Sequence, residues 1–283
     1  MSVLVWILAA LAVGVAGLWA WAASDARADA RAMDGLRALQ PADPPRFDPA
    51  MVADLPDPAR RYLTYTIAPG TPLTPVAEIE MRGSLGLGDK AAPNYAPMRA
   101  VQVLAPPHGF VWRVRTGRLP VVVTGSDGLD GGQSWSRFRL FGLVPVARAG
   151  GGRDHARAAF GRVVAEAVFW TPAALLPSES VTWEPVNAET ARAVMTRGKL
   201  GQAVEVTVNP DGQPTRVRIQ RWTDANPDRT YRLQPFGGEL SGFRDFDGFR
   251  LPTRVDGGNF FGTPQYFPFF RAEVEAIRFP PPR

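Results

Sequence analysis

The sequence contains no cysteine among its 283 residues. This absence excludes disulfide bonds, thiol catalysis and cysteine-ligated zinc or iron–sulfur sites. Histidine is also scarce: only His108 and His155 occur, which leaves little material for a histidine-rich metal site or a serine–histidine relay. Lysine is limited to Lys90 and Lys199, so nearly all of the positive charge is carried by arginine. We therefore expect no metal ion and no cofactor.

The net charge of +5 does not take the form that nucleic-acid binding requires. The arginines are scattered along the chain and alternate with apolar residues, as in the segments at 113–115 and 216–218. A nucleic-acid-binding protein typically concentrates its basic residues and interleaves them with stacking aromatics. We interpret the arginines as the solvated faces of strands and expect no nucleic-acid partner.

The most distinctive segment is Val3 to Ala23, a run of 21 residues without a charge. As a helix it would be about 31 Å long, enough to cross a hydrocarbon core of about 30 Å. Trp6 lies near one end and Trp19 and Trp21 near the other, as in interfacial aromatic belts. The segment predicts an uncleaved single-pass anchor, with the membrane as the partner of residues 3–23. Cleavage after a weak site at residues 20–22 is the alternative.

The side of the membrane is left open by the flanking charge. No basic residue precedes the apolar run, whereas Arg27, Arg31 and Arg37 follow it closely. The positive-inside rule applied to these residues places the large domain in the cytoplasm. The family and shape resemblances described below favour the extracytoplasmic side instead.

Three regions follow from the composition. Residues 1–39 are predicted to form the anchor and a stalk helix that continues into solvent, and residues 40–55 a proline-rich linker. Residues 56–283 are predicted to form a single β-rich domain. A short helix opened by Pro58 is expected at its start, and from about Val76 onward period-2 alternation predicts ten to twelve strands. Asp-Gly pairs, including those at 127–128 and 256–257, are interpreted as hairpin turns.

One interior helix is predicted over Arg153 to Trp170. Two of its faces can pack: one is apolar at helical spacing, and the other consists of the small residues Ala158, Gly161 and Ala165. Such a helix is expected to be embraced by a sheet rather than laid on its outside. The predicted fold is therefore a β-rich α+β fold, in which a large curved antiparallel sheet, shaped like a half-barrel, wraps around one main helix after an N-terminal transmembrane helix.

Glu166 is the most informative polar candidate, because it stands in a mostly apolar helix with Arg162 four residues before it. Either it faces a cavity and orients a ligand, or it forms a structural ion pair with Arg162. Trp112, Trp135, Trp170 and Trp183 lie in or beside predicted elements and are candidates for lining an apolar cavity. Simple filling of the core is the alternative for these tryptophans.

Several segments resemble an uncharacterised bacterial family built around a domain of unknown function. The central match is RLFGLVPVARAGGGRDHARAAFGRVVAEAVFWTPAALLP at residues 139–177, followed by VTWEP at 181–185. Flanking similarity is carried by RYL at 61–63, FVWRVR at 110–115 and DGFRLPTRV at 247–255. The resemblance covers most of residues 55–280, and it implies no established activity and no catalytic residues.

The order of strands and helix, with a late DG-x-x-LP hairpin, is also distantly similar in shape to the lipoprotein carriers LolA and LolB. That resemblance implies a curved sheet around an apolar cavity and a place in the cell envelope. The sequence departs from those carriers by its membrane anchor.

We therefore expect a non-catalytic, membrane-anchored domain that binds a lipid, a lipoprotein or another apolar ligand at the bacterial envelope, with site residues Trp112, Trp135, Glu166, Trp170 and Trp183. The alternative is a structural or regulatory module that binds another envelope protein through a sheet edge or the aromatic segment 260–270. No catalytic constellation is evident, so an enzyme is not expected.

Overall fold

The computed structural model describes residues 3–281 and contains three α-helices and thirteen β-strands. The helices are α1 (Val3–Arg37), α2 (Asp57–Thr66) and α3 (Arg153–Trp170), with 3₁₀ turns at Pro49–Val52 and Pro172–Leu175. The strands are β1 (Ala77–Gly86), β2 (Tyr95–Ala105), β3 (Gly109–Arg118), β4 (Val121–Asp130), β5 (Gln133–Leu140), β6 (Val144–Gly150), β7 (Val181–Pro185), β8 (Thr190–Arg197), β9 (Leu200–Val208), β10 (Pro214–Thr223), β11 (Arg232–Phe246), β12 (Phe249–Asn259) and β13 (Phe267–Arg278). The predicted β-rich fold, a curved sheet around one main helix after a long apolar helix, is confirmed.

All thirteen strands form one antiparallel sheet in the order β6-β5-β4-β3-β2-β1-β13-β12-β11-β10-β9-β8-β7. The sheet is thus made of two meanders, β1–β6 and β7–β13, which are joined where β1 pairs with β13. Helix α3 connects the two outermost strands, β6 and β7. Because its two ends continue into opposite edges, α3 must cross one face of the sheet, which we call the inner face.

Alternation along each strand separates the inner face from an outer one. On β3, Phe110 and Trp112 belong to the main core around α3, whereas Val111 belongs to a second cluster on the other side. This second cluster includes Met33 and Leu36 from the end of α1. The stalk half of α1 therefore packs on the outer face, and α3 packs on the inner face.

The small-residue face of α3 permits close approach to the sheet, as the sequence predicts. A Cβ atom at Gly161 would lie 3.1 Å from the Gln202 side chain on β9 and 3.6 Å from Ile219 on β10. At the other end of the helix, the buried Tyr62 hydroxyl of α2 donates a hydrogen bond of 2.7 Å to the carbonyl of Val168. These contacts hold α3 against the second meander.

The stalk is fastened to the first meander by four residues, which we call the stalk clamp: Trp21, Asp25, Arg139 and Arg148. The Asp25 carboxylate accepts hydrogen bonds of 2.6 Å from Arg139 and 2.8 Å from Arg148. Both guanidinium groups also lie over the Trp21 ring, at 4.6 and 4.9 Å from its centre. Burial alone would raise the pKa of Asp25, but the two arginines lower it. The carboxylate therefore stays ionised and paired.

The prediction of hairpin turns is wrong at two of the Asp-Gly pairs. Asp127-Gly128 lies inside β4, and Asp256-Gly257 lies inside β12. Gly128 is needed for packing rather than for a turn, because a Cβ atom there would come within 2.2 Å of the Trp135 ring on β5. Close passage of a ring over the backbone is a second reason for glycine in a strand.

The segment between α1 and α2 is packed against the domain. Phe47 and Val52 are buried in the main core. The Gln40 side chain is buried, and it donates hydrogen bonds of 3.1 Å to the carbonyls of Val76 and Pro280. These contacts hold residues 40–55 close to the sheet.

Candidate ligand-binding cavity

A largely apolar cavity of about 470 Å³ lies between α3 and the inner face of the sheet. This volume falls within the range typical of small-molecule sites. Strands of both meanders contribute to its walls, together with the middle of α3. The large apolar side chains of the lining include Leu85, Trp112, Phe138, Phe169, Phe236 and Phe270. The cavity can therefore surround most of an apolar chain with rings and aliphatic groups.

Glycine provides part of this space. Gly257 lies on the inner face of β12, two residues after the core residue Val255. A Cβ atom at Gly257 would meet only the carbonyl oxygen of Gly237, at an ordinary contact distance of 3.7 Å. A side chain at this position would therefore extend into the cavity instead of clashing with the backbone.

The polar part of the wall is an ionic network centred on Arg162 of α3. Its Nε donates to Glu166 Oε1 at 2.6 Å, one Nη donates to Gln102 Oε1 at 2.9 Å, and the other lies 3.5 Å from Asp127 Oδ2. The amide of Gln102 donates in turn to Glu166 Oε2 at 2.5 Å. The Arg162 guanidinium also lies over the Trp112 ring, 5.0 Å from its centre. Both oxygens of Glu166 are thus occupied by neighbouring side chains.

A second arginine, Arg221 on β10, lies in the same wall without such partners. Its Nε is buried and unpaired, and within residues 3–281 its guanidinium makes no hydrogen bond and no ion pair. Its nearest aromatic contact is Phe236, whose ring centre is 4.8 Å away. Burial lowers the pKa of Arg221 to about 10, and the like charge of Arg162 contributes to that shift. The group is still a cation at neutral pH.

The cavity lies towards the same end of the sheet as the stalk clamp. Thr116 and Val123 line the cavity and are paired across β3 and β4, next to the hairpin tip at 119–120. The adjoining Thr124 is paired with Arg139 of the clamp. Two hairpin tips at this end carry exposed apolar side chains, Leu119 at 85% and Phe141 at 57% exposure.

The structure brings two of the five predicted site residues together. Trp112 and Glu166 line the cavity. Trp135 lies on the outer face, where its Nε1 donates to Ser126 Oγ at 3.1 Å beneath the stalk. Trp170 is completely buried at the end of α3, and Trp183 donates to the carbonyl of Leu175 at 2.8 Å. These three tryptophans support the fold around the cavity and do not line it.

Three polar residues of the cavity wall and its ionic network are not predicted from the sequence: Gln102, Asp127 and Arg221. Gln102 stands in a strand of alternating residues and gives no signal by itself. Asp127 was interpreted as part of a turn. In β10, Arg221 stands where the alternation predicts an apolar residue, and Trp222 stands where it predicts a polar one. The two residues therefore interrupt the alternation.

His155 is separate from the carboxylates of the network. Its Nδ1 lies 2.8 Å from Ser134 Oγ and its Nε2 lies 3.2 Å from Ser136 Oγ. Burial lowers the pKa of His155, so the neutral imidazole is favoured at neutral pH. Its two ring nitrogens are thus both engaged by hydroxyl groups of β5.

Residues 45–272 match the family of unknown function DUF6544. No curated protein matches the sequence. Among solved structures, the chain is similar to a Vibrio parahaemolyticus domain assigned as an outer membrane lipoprotein-sorting protein. The two share 9% sequence identity with a TM-score of 0.37, over 72% of this chain and 85% of the other. The family match agrees with the expected family of unknown function.

Proposed function

We propose that this chain, which belongs to the DUF6544 family of unknown function, is a membrane-anchored domain that binds the apolar chain of a lipid or lipoprotein at the cell envelope. The observation that carries the proposal is the apolar cavity between α3 and the inner face of the sheet. Its walls combine aromatic and aliphatic side chains with a small polar region, as small-molecule sites do.

The N-terminal helix supports a location at a membrane. Val3–Arg37 is long and apolar enough to cross a bilayer, a property that it shares with signal sequences. Residues 3–17 are all exposed, so their apolar surface has no partner within residues 3–281. The stalk clamp then holds the cavity end of the domain close to the end of the apolar segment. A lipid leaving the bilayer would have a short path to the cavity.

Binding rather than catalysis is the activity that we propose. Glu166, the best candidate for a general acid or base, is engaged by Arg162 and Gln102 through both of its oxygens. A general base needs a free oxygen within reach of the proton that it removes. The arrangement supports a fixed polar wall that orients a ligand.

Binding of another envelope protein is the second candidate. Strand β6 is an edge of the sheet, and all of its residues are exposed. An edge strand of this kind can pair with an extended segment of a partner. The aromatic segment 260–270 is less suited to this role, because Phe261 is buried and packs edge-on against Tyr266 at 5.0 Å.

The cavity can be tested by filling it. The full chain is reconstituted in phosphatidylcholine nanodiscs with a long-chain alcohol that carries a diazirine near its end, and labelled peptides are mapped by mass spectrometry after irradiation. We expect labelling of α3, β10 and β11 in the wild type. Gly257→Phe should reduce this labelling about ten-fold or more, because the ring occupies the space of the chain.

Gly201→Phe is the matched control, because Gly201 is an exposed strand glycine with no neighbour closer than 3.7 Å to its Cβ position. It should leave the labelling unchanged. Wild-type chain that is labelled only in α1, or a Gly257→Phe variant labelled like the wild type, would contradict the proposal. In either case the partner-binding module becomes the better hypothesis.

A further inference from the structure

The cavity contains one charge that nothing in the chain neutralises by contact. Each nitrogen of Arg162 has an acceptor, whereas the Arg221 guanidinium makes no hydrogen bond or ion pair with the part of the chain that the structure describes. Fully buried arginines are almost always paired, because an unpaired charge away from bulk water is costly; Arg221 is half-buried, and its unpaired Nε is fully buried. The N–H groups of Arg221 are therefore free to bind a ligand of the cavity.

Neighbouring acidic groups do not provide that explanation. Glu166 uses both oxygens within the network, and Asp127 directs Oδ2 towards Arg162 at 3.5 Å. Asp127, Glu166 and Asp224 act on Arg221 only at a distance, through their charge. The remaining surroundings of Arg221 are the apolar cavity and the Phe236 ring.

We propose that Arg221 binds the acidic head group, a carboxylate or a phosphate, of an amphiphile with a single acyl chain, and that the chain occupies the apolar part of the cavity. This inference rests on the proposed function. A guanidinium presents several N–H donors in a plane that matches carboxylate and phosphate oxygens. Since the surroundings are apolar, such a pair is stronger here than at the protein surface.

The volume of the cavity favours one chain. A methylene group occupies about the volume of a liquid water molecule, roughly 30 Å³. A cavity of about 470 Å³ therefore corresponds to about one long acyl chain. Fatty acids and lysophospholipids combine one chain with an acidic head, and they differ in whether the acid is a carboxylate or a phosphate.

The test compares head groups that differ in charge. Full chain in phosphatidylcholine nanodiscs is titrated with three diazirine probes of equal chain length: a fatty acid, a lysophosphatidylglycerol and the neutral alcohol. Labelling of the cavity peptides gives an apparent affinity for each probe. For Arg221→Met we expect the affinity for the acidic probe that the wild type prefers to fall by about ten- to one-hundred-fold, because a hydrogen bond to a charged group contributes that much. The affinity for the alcohol should be unchanged. Arg221→Lys should keep part of the acidic affinity.

Arg218→Met is the control, because Arg218 lies on the same strand and is exposed on the opposite face. A preference for the fatty acid identifies a carboxylate ligand, and a preference for the lysophospholipid identifies a phosphate ligand; both support the proposal. Equal affinity of wild type and Arg221→Met for the acidic probes would overturn it. An equal loss for the alcohol would do so as well, because Arg221 would then only shape the cavity. The proposed function itself fails separately, if none of the probes labels the cavity or if Gly257→Phe is labelled like the wild type.

Discussion

Replacing Arg221 with methionine should make the empty protein more stable. Folding lowers the pKa of Arg221 from its ordinary value to about 10, mainly because of burial. A base with a lowered pKa in the folded state costs stability at every pH below that lowered value. The cost is lost as the pH rises from about 10 towards the ordinary pKa of a guanidinium, because the folded state loses the proton first. At neutral pH the full cost is present.

One pKa unit corresponds to about 1.4 kcal/mol, so the shift sets an upper limit of about 3 kcal/mol. Arg221 retains some contact with solvent through the cavity, which reduces the expected gain to roughly 1–2 kcal/mol. Methionine keeps the apolar stem of the side chain and fills irregular space well. For a domain of this size the melting temperature should rise by about 2–8 °C.

The assay is thermal unfolding of the full chain, which is first freed of any ligand in the cavity and then reconstituted in phosphatidylcholine nanodiscs. Arg221→Lys retains a buried cation and should show little of the gain, and Arg218→Met should stay within about 0.5 kcal/mol of the wild type. Addition of the acidic amphiphile should then raise the melting temperature of the wild type more than that of Arg221→Met, which keeps only the binding of the apolar chain. A lower melting temperature for Arg221→Met would refute the reasoning, because it would mean that the guanidinium is already well paired in the folded protein.

Two further substitutions test the fold around the cavity. Gly128→Ala should destabilise the domain by about 1–3 kcal/mol in the same thermal assay, because the new methyl group would lie 2.2 Å from the Trp135 ring, whereas Gly201→Ala, with no contact closer than 3.7 Å, should not. Asp25→Asn should speed hydrogen exchange of the stalk while exchange in β9 and β10 stays the same. Because the pKa of Asp25 is lowered, the wild-type clamp should persist in mild acid and be lost only below the ordinary aspartate value of 3.8; loss of stalk protection near pH 5 would contradict this.

The fold could be predicted where side chains alternate in burial. The structure has thirteen strands where alternation predicts ten to twelve, and the helix at Arg153–Trp170 has the predicted bounds. Strand β6 was missed for a physical reason: all seven of its residues are exposed, so its sequence carries no alternation. Backbone hydrogen bonds to β5 hold it in the sheet, and its Arg148 also joins the stalk clamp.

The cavity could be predicted only in part. The pairing of Arg162 with Glu166 follows from their helical spacing, and it is confirmed at 2.6 Å. Gln102 joins them from a strand some 60 residues away in sequence, and Arg221 approaches from the second meander. Contacts between distant segments depend on how the sheet curves around α3. Local periodicity says nothing about such contacts, so it does not distinguish Trp112, which lines the cavity, from Trp135, which lies on the outer face.

The pairing of β1 with β13 determines the order in which the chain can fold. About 180 residues separate the end of β1 from the start of β13, whereas most other neighbouring strands are joined by short turns. At translation rates of about 5–20 residues per second, one edge of β1 waits roughly 10–40 s for its partner. During that interval it can pair wrongly with another chain. Glu80 and Arg82 lie on this strand, and in the folded protein they pair with Arg278 and Glu273 of β13. The unpaired edge of β1 is therefore charged before β13 is synthesised, and the same charges favour pairing with β13 afterwards.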